Sequence, residues 1–122
     1  MMLDFENVYA NVMQTDSTIR YAVIQNNTGE KICWGFRENI SPILNNEEHK
    51  MMHYYVSQRW HTRKNIEPKL GNIKYAMTKY DKLKRITFPI NEKYMLLLTM
   101  ETNADHTDII NKVLSCIQDF KK

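Results

Sequence analysis

Tyr94-Met95-Leu96-Leu97-Leu98-Thr99-Met100 is the longest strongly apolar run in the chain. Seven residues make a strand, and near-continuous hydrophobicity is what a strand covered on both faces requires. A membrane span needs roughly 20 such residues, so the run predicts the centre of a sheet instead. Just upstream, Ile86, Phe88 and Ile90 alternate with Arg85 and Thr87, and Ile73, Tyr75 and Met77 alternate with Lys74 and Ala76. Alternation of this kind marks strands with two unlike faces. The three runs form a meander, with strand 73–80 at its outer edge.

Further toward the N-terminus lies a second strand group. Ile19, Tyr21 and Val23 alternate with Arg20 and Ala22, and Ile32, Trp34 and Phe36 alternate with Cys33 and Gly35. Gln25-Asn26-Asn27-Thr28-Gly29-Glu30 between them is rich in residues that tolerate turn dihedrals, so the pair reads as a β-hairpin. Three helices complete the chain. Phe5, Val8, Tyr9, Val12 and Met13 fall on one helical face behind an Asp4 cap. A middle helix from about Glu47 to Ile66 starts from Asn45 or Asn46 and ends before Pro68 and Gly71. The last carries Ile109, Ile110, Val113, Leu114, Ile117 and Phe120 at helical spacing, capped by Asp105 or Asn103, with Lys121 and Lys122 at its cation-favouring end.

The element order is therefore α-β-β-α-β-β-β-α. Short connections within each strand group make the sheet mainly antiparallel, and a central last strand must pair with the first. The expectation is an α/β (α+β) domain over residues 1–122, with a five-stranded sheet of order 2-1-5-4-3 and helices on both faces.

Composition fits one globular domain: 122 residues, 43% hydrophobic and 25% charged. Cys33 and Cys116 stand among apolar neighbours and read as inert thiols rather than a disulfide. Residues Met1-Met2-Leu3 are followed at once by Asp4 and Glu6, which interrupts any secretion signal, so the expected compartment is the cytoplasm. The patterns Asn26-Asn27-Thr28 and Asn39-Ile40-Ser41 then carry no glycosylation meaning. Eight methionines are many for this length, and filling of irregular core gaps accounts for them.

The succession of elements resembles the roadblock/LC7 domain and, more broadly, the profilin-like and PAS-like architectures that share the strand order. PAS domains place several short helices where this chain has one long one, which is nearer to roadblock. The stretches Ile19-Arg20-Tyr21-Ala22-Val23-Ile24, Ser57-Gln58-Arg59-Trp60 and Ile86-Thr87-Phe88-Pro89-Ile90 also resemble short archaeal proteins of unassigned function. The roadblock resemblance implies a non-enzymatic module, a homodimer formed through the middle helix and third strand, and partners such as small GTPases or signalling scaffolds. The PAS-like and profilin-like resemblance implies instead a small-ligand sensor holding its ligand between sheet and helix. Neither implies a catalytic residue, cofactor or metal.

The middle helix carries more large residues than one buried stripe needs, and Met51, Tyr54, Tyr55 and Trp60 are its candidate interaction residues. His49 and His53 lie four apart on it and could chelate a metal. The metalloprotease pattern fails at Lys50, and His61 lies about 80° around the helix from His53, so both read as solvated or partner-facing. His106, between Asp105 and Asp108, could serve as a general base, but that cluster is also what a helix start looks like. No nucleophile elbow or phosphate loop is present.

Charge is unevenly distributed. From Arg59 to Arg85 nine basic residues face only Glu67 and Asp81, a net +7 in a chain totalling +3. Arg59, Arg63, Lys64, Lys74, Lys84 and Arg85 are the candidate basic patch, interleaved with Trp60, Tyr75 and Tyr80. Such a patch would suit an acidic protein or, as a third reading, nucleic acid, provided the cations converge in space. A merely solvated face, with lysines guarding a sheet edge, is the plain alternative.

Overall fold

Eight elements follow one another in the expected order: α1 (Phe5–Gln14), β1 (Ile19–Asn26), β2 (Lys31–Phe36), α2 (Asn46–Leu70), β3 (Ala76–Lys79), β4 (Lys84–Pro89), β5 (Tyr94–Met100) and α3 (His106–Lys121). The strands form one antiparallel sheet of order β2-β1-β5-β4-β3, as the apolar run 94–100 required. This computed structural model describes residues 4–121 and, at 120 and 121, the backbone alone. Expectations for residues 1–3, for the side chains of Phe120 and Lys121, and for Lys122 lie outside the described residues.

Local chemistry sets the boundaries. Asp4 Oδ1 accepts from the Asn7 N–H at 3.0 Å and starts α1. In the β1–β2 turn, Asn26 Oδ1 accepts from the backbones of Thr28 and Glu30, while Gly29 supplies φ +93°. Asn45 and Glu48 make a reciprocal capping box at the start of α2, each side chain accepting from the other's N–H at 2.9 Å. Asp105 Oδ1 takes the Asp108 N–H at the start of α3.

Two boundaries differ from expectation. α2 continues through Pro68 to Leu70 and stops only at Gly71, whose φ is +89° and whose N–H reaches Glu67 O at 2.8 Å. Proline so near a C-terminus removes one hydrogen bond without breaking the turns before it. β3 is four residues rather than eight, because the Ile73 N–H goes to Glu67 Oε2 at 2.9 Å and ties residue 73 to the helix end.

The sheet has a larger and a smaller core. α1 and α3 cover one face, where Val8, Val12, Ile109, Val113 and Ile117 pack on Ile24, Ile86, Phe88, Leu96 and Leu98. α2 covers the other, where Val56 and Trp60 pack on Tyr21, Val23, Met95 and Leu97. A register shift between Ile19 and Tyr21 sends Ile19 to the larger core and Tyr21 to the smaller, so both faces of β1 are buried. Cys33 and Cys116 are half-buried free thiols, each held above its ordinary range chiefly by burial.

Candidate functional site

Successive strand residues point to opposite faces, so the register fixes what lies beneath α2. Phe36, Tyr21, Thr99, Arg85 and Thr78 stand side by side across all five strands, forming one row on the α2 face. The helix contacts the sheet mainly through Val56 and Trp60, one turn and more beyond this row. A groove of about 760 Å3 is left between the row, the N-terminal half of α2, the segment before α2 and the β3–β4 turn. Its floor includes Tyr21, Phe36 and Arg85; Met52, Tyr55 and Arg59 descend from α2; Leu44 and Tyr80 close the sides.

The electrostatics of this groove are lopsided. Arg20 is neutralised by Glu101 at 2.8 Å. Arg59, Lys82 and Arg85 in the groove lining form no ion pair among the described residues, and neither does Arg63, which lies outside the lining. Burial pushes the Arg85 guanidinium below its ordinary range, the nearby Tyr80 offsets part of this, and repulsion from Arg59 adds to it. Arg63 is likewise lowered by burial and then by Arg59 and Arg85, so the three cations sense one another. Arg85 stands over the Tyr80 ring, 5.8 Å from its centroid. Of the two carboxylates at the rim, Glu48 is held by the capping box and Asp81 is exposed on the β3–β4 turn.

The rest of the basic segment does not join them. Lys84 neighbours Arg85 in sequence and therefore points the other way; it is buried on the α3 side, where its Nζ donates to Ala104 O and His106 Nδ1, both at 2.9 Å. Lys64 is neutralised by Glu67 and Glu92, each at 3.1 Å. Lys74 is exposed in the connection before β3, in a depression shared with Leu114 of α3. Half of the six cations converge, and among the described residues there is no continuous cationic stripe of the kind that tracks a phosphate backbone.

On the middle helix, Met51, Tyr54 and Tyr55 are 57%, 57% and 59% exposed. Trp60 is 7% exposed, and its indole belongs to the smaller core. His53 is not solvated, contrary to expectation: it is 4% exposed, with Nδ1 2.6 Å from Gln25 Oε1 and Nε2 3.4 Å from the Tyr21 hydroxyl. It packs there because its position on α2 falls on the core-facing stripe with Val56 and Trp60. His106 accepts from Lys84 at the first turn of α3, a structural role. No group of three or more His, Cys, Asp or Glu able to hold a metal comes together among the described residues. None of the described helices is long and apolar enough to cross a membrane.

Sequence reasoning named a ligand site between sheet and helix only as what the PAS-like resemblance implies, and assigned no residue to the groove. Its signals were the apolar pair Ile43-Leu44 immediately before the α2 cap, and the register that places Arg85 opposite Thr99.

Residues 3–120 match the model of a family of unknown function, DUF6659. The chain belongs to that family. Among curated proteins no match is found for this DUF6659 chain. Its fold is that of solved roadblock/LC7 domains. A roadblock/LC7 domain from Streptomyces avermitilis superposes with TM-score 0.74 at 11% identity, covering 97% of this chain and 95% of that one. The gliding protein MglB from Thermus thermophilus gives 0.74 at 10% identity, over 95% and 89%. An MglB in a tetrameric arrangement gives 0.75 at 12% identity, over 95% and 86%. At such identities the likeness establishes the DUF6659 fold as roadblock-like and leaves function to the residues.

Proposed function

We propose that this chain is a non-enzymatic interaction module of the cytoplasm that forms a homodimer through α2 and the β3 edge and regulates another protein. The observation carrying this reading is the outer surface of α2. Met51, Tyr54 and Tyr55 are each more than half exposed on a helix whose opposite side already fills a core. Large exposed aromatics in one patch are typical interface anchors, not ordinary solvent-facing residues. β3 ends the sheet, and no further strand pairs with it among the described residues; Met77 on it and Tyr75 just before it are exposed on the face opposite α2, near Ile86 and Phe88. An open edge next to an apolar helix face suits twofold pairing with an identical surface. Lys79, at one end of β3, is the feature that opposes it. A small GTPase is the partner class the roadblock resemblance implies, and an MglB of the same fold is described as tetrameric.

The test is Tyr54→Ala. Substitution of so exposed a side chain should change stability by less than about 0.5 kcal/mol while raising the dimer dissociation constant several-fold. Unfolding of the variant, or an unchanged dissociation constant, would remove the reading.

A further inference from the structure

Arg85, half-buried, and Arg59, exposed on α2, line the groove without an ion-pair partner among the described residues. A guanidinium removed from water loses hydration that only an opposite charge or several hydrogen bonds replace. Arg85 has the Tyr80 ring and hydroxyl beside it, and Arg59 at the groove's other wall repels it. Tyr21 and Phe36, ring centroids 4.4 Å apart, lie on the floor with Met52 and Tyr55 above them, and the polar remainder of the lining is Arg20, Glu48, His49, Asp81, Lys82 and Thr99. A volume of about 760 Å3 falls in the range of small-molecule sites, which combine apolar walls with a few convergent polar groups.

We propose that this groove binds an amphipathic organic anion, its acidic head between Arg59 and Arg85 and its apolar body along Tyr21, Phe36 and Tyr55. Neither a bare inorganic ion nor an uncharged ligand answers both the cations and the apolar side chains of the groove. A lone phosphate would leave Tyr21, Phe36, Met52 and Tyr55 uncovered. An uncharged apolar ligand would leave the arginines unanswered. The inference does not rest on self-association, although Met51 and Tyr55 border both the groove and the proposed contact face.

Decanoate is a suitable probe, compared by calorimetric titration with decanol and with inorganic phosphate. One decanoate should bind per chain, decanol at least on the order of tenfold more weakly, and phosphate alone without saturation, since a charge-assisted contact is worth about tenfold or more. Arg59→Gln, at an exposed helix position, should weaken decanoate on the order of tenfold with an unchanged melting temperature. Arg85→Gln should do the same wherever its melting temperature also matches wild type. Absence of decanoate binding, equal binding of decanol, phosphate binding as tight as decanoate, or indifference to Arg59→Gln would each overturn the proposal. So would a decanoate affinity that falls as protein concentration rises, since a second copy would then be the occupant of the groove. That last outcome would leave the homodimer standing, whereas a monomer that binds decanoate would overturn the homodimer alone.

Discussion

Acidification should destabilise this protein through one histidine of its smaller core. His53 Nδ1 faces Gln25 Oε1, which only accepts, so the neutral ring carries its proton on Nδ1 and leaves Nε2 to accept from Tyr21. A second proton would place a charge in a nearly closed site that lacks a carboxylate. Burial first, then His49, Lys31 and Arg85, bring the pKa of His53 from 6.5 down to about 4. As pH falls through 6.5 the unfolded chain takes up this proton and the native one does not. The contribution is therefore fully present above 6.5 and is lost progressively down to about 4. The gap amounts to at most about 3 kcal/mol, at about 1.4 kcal/mol for each tenfold change in proton affinity, and solvent screening at the groove mouth lowers it toward about 2. Urea unfolding at stepped pH, on wild type and His53→Gln, measures the effect, because glutamine can still hydrogen-bond Gln25 but cannot titrate. His49, 6.0 Å away and itself held down by burial, is present in both proteins. Wild type should lose stability more steeply than the variant across that window, by up to about 1.4 kcal/mol per pH unit. Parallel profiles would refute the reasoning.

Three further substitutions separate structural from surface roles. Trp60→Ala removes the largest α2 side chain from the smaller core and should cost about 3–5 kcal/mol in chemical denaturation, a loss unlike that of Tyr54→Ala. Lys84→Met abolishes the two hydrogen bonds that join β4 to the start of α3; thermal melts should show about 1–3 kcal/mol lost, with decanoate binding untouched. Asn45→Ala removes the α2 capping box, and about 1 kcal/mol should be lost by the same measure.

Strand order was legible because one run, 94–100, was too apolar for an edge and too short for a membrane, which forced β5 between β1 and β4. Caps were legible where Asp, Asn and Glu stood at fixed offsets, as at Asp4, Asn45 and Asp105. The reach of the basic segment was not, because charge counted along a chain ignores the alternation of a strand: Lys84 and Arg85 adjoin in sequence and lie on opposite faces of the sheet. His53 was misjudged for a related reason. A helix packed on a sheet through a narrow stripe buries only some of its large residues, and which ones depends on its rotation about its own axis. The groove arises from that loose seating of α2, a property of tertiary packing of which the sequence carries only the local trace Ile43-Leu44.

Self-association is the claim on which the functional reading turns, and sedimentation velocity across the micromolar range tests it most directly. Wild type should sediment as a species of twice the chain mass, and Tyr54→Ala should shift toward a single chain at the same concentrations while keeping its melting temperature. A wild-type protein that remains a single chain at every concentration would contradict the account.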